Sequence, residues 1–149
     1  MDICLLRPDE FERCKEIWDI DRQKNLAEKF LKELIEGNRV IFVCKESGHL
    51  LGEISLVKEM NDEDYTVPGQ RIYVSHLVVK KEKRRKGIGK LLVNHVIEKA
   101  KEAGYSEMTI GVDLDNYAAL KLYSDYGFNR ILRIDQDAQG AYIKLMKCL

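Results

Sequence analysis

Residues 72–79 (IYVSHLVV) form the most strand-like run in the chain. They lead through a charged segment, KKEKRRKG, into a helical pattern carried by Leu92, Val96, Ala100 and Ala103, and after Gly104 a second apolar run begins at residues 108–112. A strand that returns to its own sheet through a helix pairs in parallel and crosses over right-handedly. Turn chemistry elsewhere imposes the opposite pairing. Ser47-Gly48 joins residues 40–44 to residues 50–57, and Asp137-Ala138-Gln139-Gly140 joins residues 128–134 to residues 141–146. Connections this short make antiparallel hairpins. A chain containing both kinds of connection folds as a mixed sheet flanked by helices.

The remaining segments complete that plan. Residues 2–7 alternate and stop at Arg7-Pro8, where the proline holds its predecessor extended. Two helical patterns follow, one on Phe11, Cys14, Ile17 and Trp18, the other on Leu26, Phe30, Leu31, Leu34 and Ile35 up to Gly37. Residues 58–70 are polar and acidic and read as a long exposed loop. Asp115 or Asn116 caps a last helix with its stripe on Ala119, Leu122, Tyr123 and Tyr126, ended by Gly127. The order is β, α, α, β, β, β, α, β, α, β, β, an α/β (α+β) arrangement. Its 149 residues fit a single domain, 1–149.

Lysine plus arginine and aspartate plus glutamate number 25 each, so no global field draws in nucleic acid or an anionic membrane. The four cysteines are scattered without a CxxC pair or a histidine at zinc-ligand spacing, which points to reduced structural thiols and no metal. No run of about 18 apolar residues and no basic, then apolar, leader is present. The expectation is an unexported, cytoplasmic protein.

The segment Arg84-Arg85-Lys86-Gly87-Ile88-Gly89-Lys90, between strand and helix, has the chemistry of anion capture. N–H groups at a helix start are unpaired, the helix dipole favours negative charge there, and glycine lets a phosphate approach the backbone. A solvated basic loop would use the same residues. A Rossmann turn is excluded because Leu92 occupies the third glycine position and seven residues separate the strand from Gly87. A Walker A loop is excluded because Leu91 follows Gly89-Lys90. A nucleic-acid surface built on KKEKRRK lacks interleaved aromatics.

In the last helix, Asn116 and Tyr123 are seven apart and share one face. By pattern alone Asn116 is a cap and Tyr123 a core aromatic; a phenol so placed is also able to donate a proton. Together, Arg84-x-x-Gly87-x-Gly89 and Asn116-x-x-Ala119-x-x-Leu122-Tyr123-x-x-x-Gly127-Phe128 resemble the two signature motifs of the GNAT N-acetyltransferases, in the family's order and spacing. The resemblance extends over nearly the whole chain.

It implies a mostly antiparallel sheet of six to seven strands with about four helices, and acetyl-CoA as the acyl donor. Leu77, Val78 and Val79 would hold the pantetheine arm, Arg84, Arg85, Lys86, Gly87, Ile88, Gly89 and Lys90 the pyrophosphate, and Asn116, Ala119 and Tyr123 would adjoin the cofactor, with Tyr123 as general acid. A backbone N–H near Val79 would polarise the thioester. The acceptor would be an amine of a small molecule or peptide, and pairing into a homodimer is common among relatives. The family's fourth-strand glutamate falls here at Tyr73, so the general base is sought in Glu53 and His76. Strand alternation places His76 on the face opposite Tyr73 and Ser75. Trp18 and Phe30 serve either as core or as walls of an acceptor pocket, and Glu59, Asp62, Glu63 and Asp64 either solubilise their loop or attract a cationic acceptor. A non-catalytic acyl-CoA-binding domain is the alternative that the missing glutamate suggests.

Overall fold

The computed structural model describes residues 1–149. Its elements are β1 (Asp2–Leu5), a 3-10 segment (Pro8–Glu16), α1 (Lys24–Glu36), β2 (Arg39–Glu46), β3 (His49–Val57), β4 (Arg71–Val79), a 3-10 turn (Lys81–Lys83), α2 (Ile88–Glu102), β5 (Glu107–Asp113), α3 (Tyr117–Asp125), β6 (Arg130–Asp137) and β7 (Gly140–Cys148). The strand order is β1-β2-β3-β4-β5-β7-β6. β4 and β5 pair in parallel, as the crossover requires, while β1–β2, β2–β3, β5–β7 and β6–β7 are antiparallel. Both expected hairpins form through two-residue loops, with Glu46 opposite His49 and Asp137 opposite Gly140.

One element differs in kind from its pattern. The segment after Pro8 is a 3-10 helix rather than an α-helix. Phe11, Cys14 and Ile17 recur at strict intervals of three, and at three residues per turn that spacing puts all three on one buried line. α1 behaves as its pattern indicates: Ala27, Phe30 and Leu34 are buried, and Gly37 ends it in the left-handed conformation with its N–H on the Glu33 and Leu34 carbonyls.

The chain forms two compact units: Met1–Val57 with Ser75–Val96, and Lys58–Val74 with Ile97–Leu149. In the first, the 3-10 segment, α1 and the inner residues of β2 and β3 make a continuous apolar cluster that includes Leu6, Phe11, Trp18, Phe30, Ile41 and Leu50. Gly52 on β3 lies where an added Cβ would come within 3.1 Å of the Val78 carbonyl oxygen and 3.3 Å of the Ile88 and Leu92 side chains, so β3, β4 and α2 approach one another closely there. In the second unit, β5, β7 and β6 form an antiparallel sheet with β7 in the middle, against which residues 58–70 are pinned. Lys144 on β7, almost wholly buried, donates to Asp62 at 2.9 Å and to Asp64 at 3.0 Å. Arg133 donates to Asp64 at 3.1 Å, and the Thr109 hydroxyl donates to the Tyr65 carbonyl at 2.6 Å.

Candidate active site

The second half of β4 departs from regular strand geometry. Its ladder with β5 runs over Arg71, Ile72 and Tyr73. Three residues later His76 has a φ of 56°, a left-handed conformation that a non-glycine residue adopts only where the surroundings hold it. Strict alternation is lost as a result. Ser75 receives a hydrogen bond from Arg39 Nη1 at 3.1 Å, and that guanidinium lies 3.7 Å over the Phe30 ring, which His76 also touches. His76 thus touches the Phe30 ring directly and Ser75 holds the guanidinium that covers it, whereas Tyr73 packs on Tyr65 at 4.5 Å between ring centroids.

Leu77, Val78 and Val79 are half-buried. Beyond them Arg84 Nε donates to the Val79 carbonyl at 2.9 Å, and the Lys80 N–H donates to Leu51 at 2.8 Å, fastening the loop to the strand end. Arg85 and Gly87 are both left-handed, with φ of 64° and 84°. Alternating left-handed residues turn successive N–H groups toward one side and make an anion-binding concavity. The Leu91 N–H donates to the Gly87 carbonyl at 3.1 Å and closes the first turn of α2, so the N–H groups of Ile88, Gly89 and Lys90 stand at the helix start. Ile88 offers only its backbone, since its side chain is buried beside Gly52.

Glu53 and His76, far apart in sequence, come together. Glu53 is 0% exposed. Trp18 Nε1 donates to its Oε1 at 2.6 Å, and its Oε2 lies 3.5 Å from His76 Nδ1. Neither Oε2 nor Nδ1 has a hydrogen-bond partner. The His76 ring stands edge-on to Trp18 and Phe30, at 4.7 and 4.9 Å between centroids, and its side chain retains 16% exposure. Burial first, and the nearby Glu53 carboxylate second, push the Cys14 thiol well above the ordinary thiol range. Trp18, Cys14 and Arg39 show no signal in the sequence beyond apolar spacing or charge, because their roles depend on contacts across more than 30 positions.

The second unit carries the other motif. Asn116 Oδ1 accepts from the Ala119 N–H at 3.2 Å, which makes it the N-cap of α3. Tyr123 is 3% exposed and packs edge-on against Phe128 at 5.4 Å. Burial, with a smaller contribution from Tyr73, pushes its phenol above the usual tyrosine range, so its proton is retained at neutral pH. The acidic loop is not an open rim: Asp62 and Asp64 are engaged by Lys144 and Arg133. No group of three or more His, Cys, Asp or Glu side chains is arranged to hold a metal ion, and no helix is long and apolar enough to cross a membrane.

Residues 4–128 match the family model described as the Acetyltransferase (GNAT) family. Among curated proteins, N-acetyltransferase 8 of Homo sapiens is 34% identical over 77 residues, 52% of this chain and 34% of that protein. The chain therefore spans about a third of the length of that relative. Among solved structures, the IAA acetyltransferase from Bacillus cereus superposes with a TM-score of 0.75 at 23% identity, covering 99% of each chain. A GNAT family acetyltransferase from Elizabethkingia anophelis with acetyl-CoA bound gives 0.75 at 21% identity, covering 99% of this chain and 97% of that one. These structural likenesses carry the fold, a mixed seven-stranded sheet with flanking helices, and the family model covers both units. By that match, and by the strand, loop and helix that carry its motifs, the chain belongs to the Acetyltransferase (GNAT) family.

Proposed function

We propose that this protein is an acetyl-CoA-dependent N-acetyltransferase that acts on a primary amine of a small molecule or peptide. The observation that carries the reading is the anion cradle at the start of α2: two left-handed residues, Arg85 and Gly87, deliver backbone N–H groups beside Arg84, Lys86 and Lys90, in the loop that follows a half-buried strand end. Those residues fit a pyrophosphate, and Leu77 and Val79 fit an extended pantetheine arm as an added strand. When bound, acetyl-CoA supplies an activated acetyl thioester.

The chain's own groups then divide the proton work. The neutral amine sheds a proton as it becomes an amide, and the Glu53–His76 cluster is suited to take it. Tyr123, kept protonated by burial, is suited to give one to the departing sulfur. A backbone N–H near Val79 serves as donor to the developing oxyanion. Asn116 fixes the start of α3, on which Tyr123 rides two turns later.

The family match runs from residue 4 to residue 128, across both compact units, which supports one functional domain. Four unpaired thiols support a reducing, cytoplasmic setting. Pairing into a homodimer is supported at β6, the sheet-edge strand, where Ile131 and Ile134 are each 60% exposed. An antiparallel pairing of β6 with its copy, centred on Ile134, sets Arg133 opposite Asp135, and sedimentation of the wild type against Ile134→Lys reads it.

Free-thiol release from acetyl-CoA across a panel of amines tests the activity. Amine-dependent release that falls about 100-fold or more in Tyr123→Phe, with acetyl-CoA affinity kept, is the expected result. Binding of acetyl-CoA without release on any amine class would instead make the chain a non-catalytic acyl-CoA-binding domain.

A further inference from the structure

We propose that His76 is the group that removes the acceptor's proton, through Nε2, and that Glu53 is a positioning residue that never touches the acceptor. This rests on the acetyl-transfer reading above. The division of labour follows from burial. Glu53 is wholly enclosed, whereas His76 keeps part of its ring at the surface of the cluster. With Oε1 held by Trp18 and Oε2 facing His76, the carboxylate has no oxygen left to meet an amine, whereas an imidazole whose Nδ1 faces that carboxylate can meet one with its other nitrogen.

Two orphaned atoms are the decisive observation. Glu53 Oε2 and His76 Nδ1 are both buried and lack hydrogen-bond partners, yet they face each other 3.5 Å apart. Buried polar atoms left unsatisfied are costly, so a pair of them facing each other calls for an explanation. For Nε2 to accept a proton the resting neutral ring must carry its hydrogen on Nδ1, where it faces Oε2, and once Nε2 is protonated that contact becomes a charge-assisted pair. A carboxylate that stabilises the charged ring more than the neutral one favours the state in which the amine has given up its proton.

The surroundings hold the pair in that register. Trp18 fixes Oε1 at 2.6 Å, which leaves Oε2 to point at His76. Trp18 and Phe30 grip the imidazole edge-on, and the left-handed backbone at His76 turns its ring into their corner. Among charged groups on neighbouring elements, Arg39 from β2 is engaged by Glu33 of α1, by Ser75 of β4 and by the Phe30 ring, and Glu16 of the 3-10 segment accepts from Arg13 and Leu50.

In the reaction so described, the amine nitrogen forms the C–N bond, its proton passes to His76 Nε2, the C–S bond breaks, and the sulfur takes the Tyr123 proton. The His76 proton then returns to Tyr123 through solvent, restoring both groups.

Two measurements test the roles. In the first, kcat/KM is followed against pH for wild type, His76→Ala and Glu53→Gln, with acetyl-CoA affinity measured in parallel. His76→Ala should lose the acidic limb and about 100-fold or more in kcat/KM. Glu53→Gln, which keeps an oxygen for Trp18, should retain a limb displaced in pH, and both variants should bind acetyl-CoA within about twofold of wild type. A limb lost in Glu53→Gln and kept in His76→Ala would make Glu53 the base and overturn the assignment. The second needs no turnover, so it separates this proposal from the activity itself: nitrogen NMR of the three histidines. The His76 titration should move in Glu53→Gln while those of His49 and His95 stay in place; an unmoved His76 would overturn the pairing.

Discussion

Trp18 shows how one side chain can serve both packing and chemistry. It sits in the apolar cluster, yet its N–H is the hydrogen-bond donor to Glu53 Oε1. Trp18→Phe preserves most of the apolar surface and removes that donor. The expected loss is about 1–3 kcal/mol in chemical denaturation, the cost of an unsatisfied buried carboxyl, together with a fall in amine-dependent thiol release. An unchanged midpoint would mean that the carboxyl finds another donor. Thiol reactivity is settled at the same scale. Cys14 and Cys44 are buried and their thiols are raised first by desolvation, whereas Cys148 is exposed. A thiol reagent should therefore label Cys148 in the native protein and reach Cys14 and Cys44 only on unfolding, as mass spectrometry of the labelled peptides would show.

Among the elements, the loop before α2 and the strap of residues 58–70 make separate predictions. Gly87, at a φ of 84°, lies where a Cβ would meet no neighbouring atom within 4 Å, so the obstacle to a side chain there is backbone conformation rather than space. Gly87→Val should cost about 1–2 kcal/mol of strain or turn the N–H groups away, and calorimetric titration should show weakened acetyl-CoA binding. The strap depends on charge. Hydrogen bonds from Lys144, then from Arg133, hold the Asp64 carboxyl below its ordinary value of 3.8. A group whose folded value is depressed contributes its stability above the unfolded value and loses it as pH falls through the folded one. Thermal unfolding midpoints should accordingly drop below about pH 4 in the wild type, and Asp64→Asn should flatten that drop. The 3-10 segment teaches a related lesson. Its residues were legible as helical and buried, but intervals of three and four coexist in most short patterns, and the choice between 3-10 and α geometry came from packing.

For the whole molecule, equal numbers of acidic and basic residues predict no measurable affinity for duplex DNA even at low salt, despite the KKEKRRK segment; a retarded band in an electrophoretic assay at 20 mM salt or so would contradict this. The sequence by itself determined the element order, the mixed sheet and the two motifs, because hairpin turns, the crossover and helix caps are written in residues that lie close together along the chain. The cap at Asn116 and the glycine at the start of α2 belong to this local class. Only the tertiary structure decided that Glu53 and His76 meet, that Trp18 orients the carboxyl, and that Asp62 and Asp64 strap a loop to β7 instead of lining an entrance. Those contacts join residues 23 to 82 positions apart, and the one between Glu53 and His76 involves a left-handed residue that breaks the alternation of β4. Periodicity carries no information on either, since it describes the direction of a side chain along one regular element and not what another element brings to it.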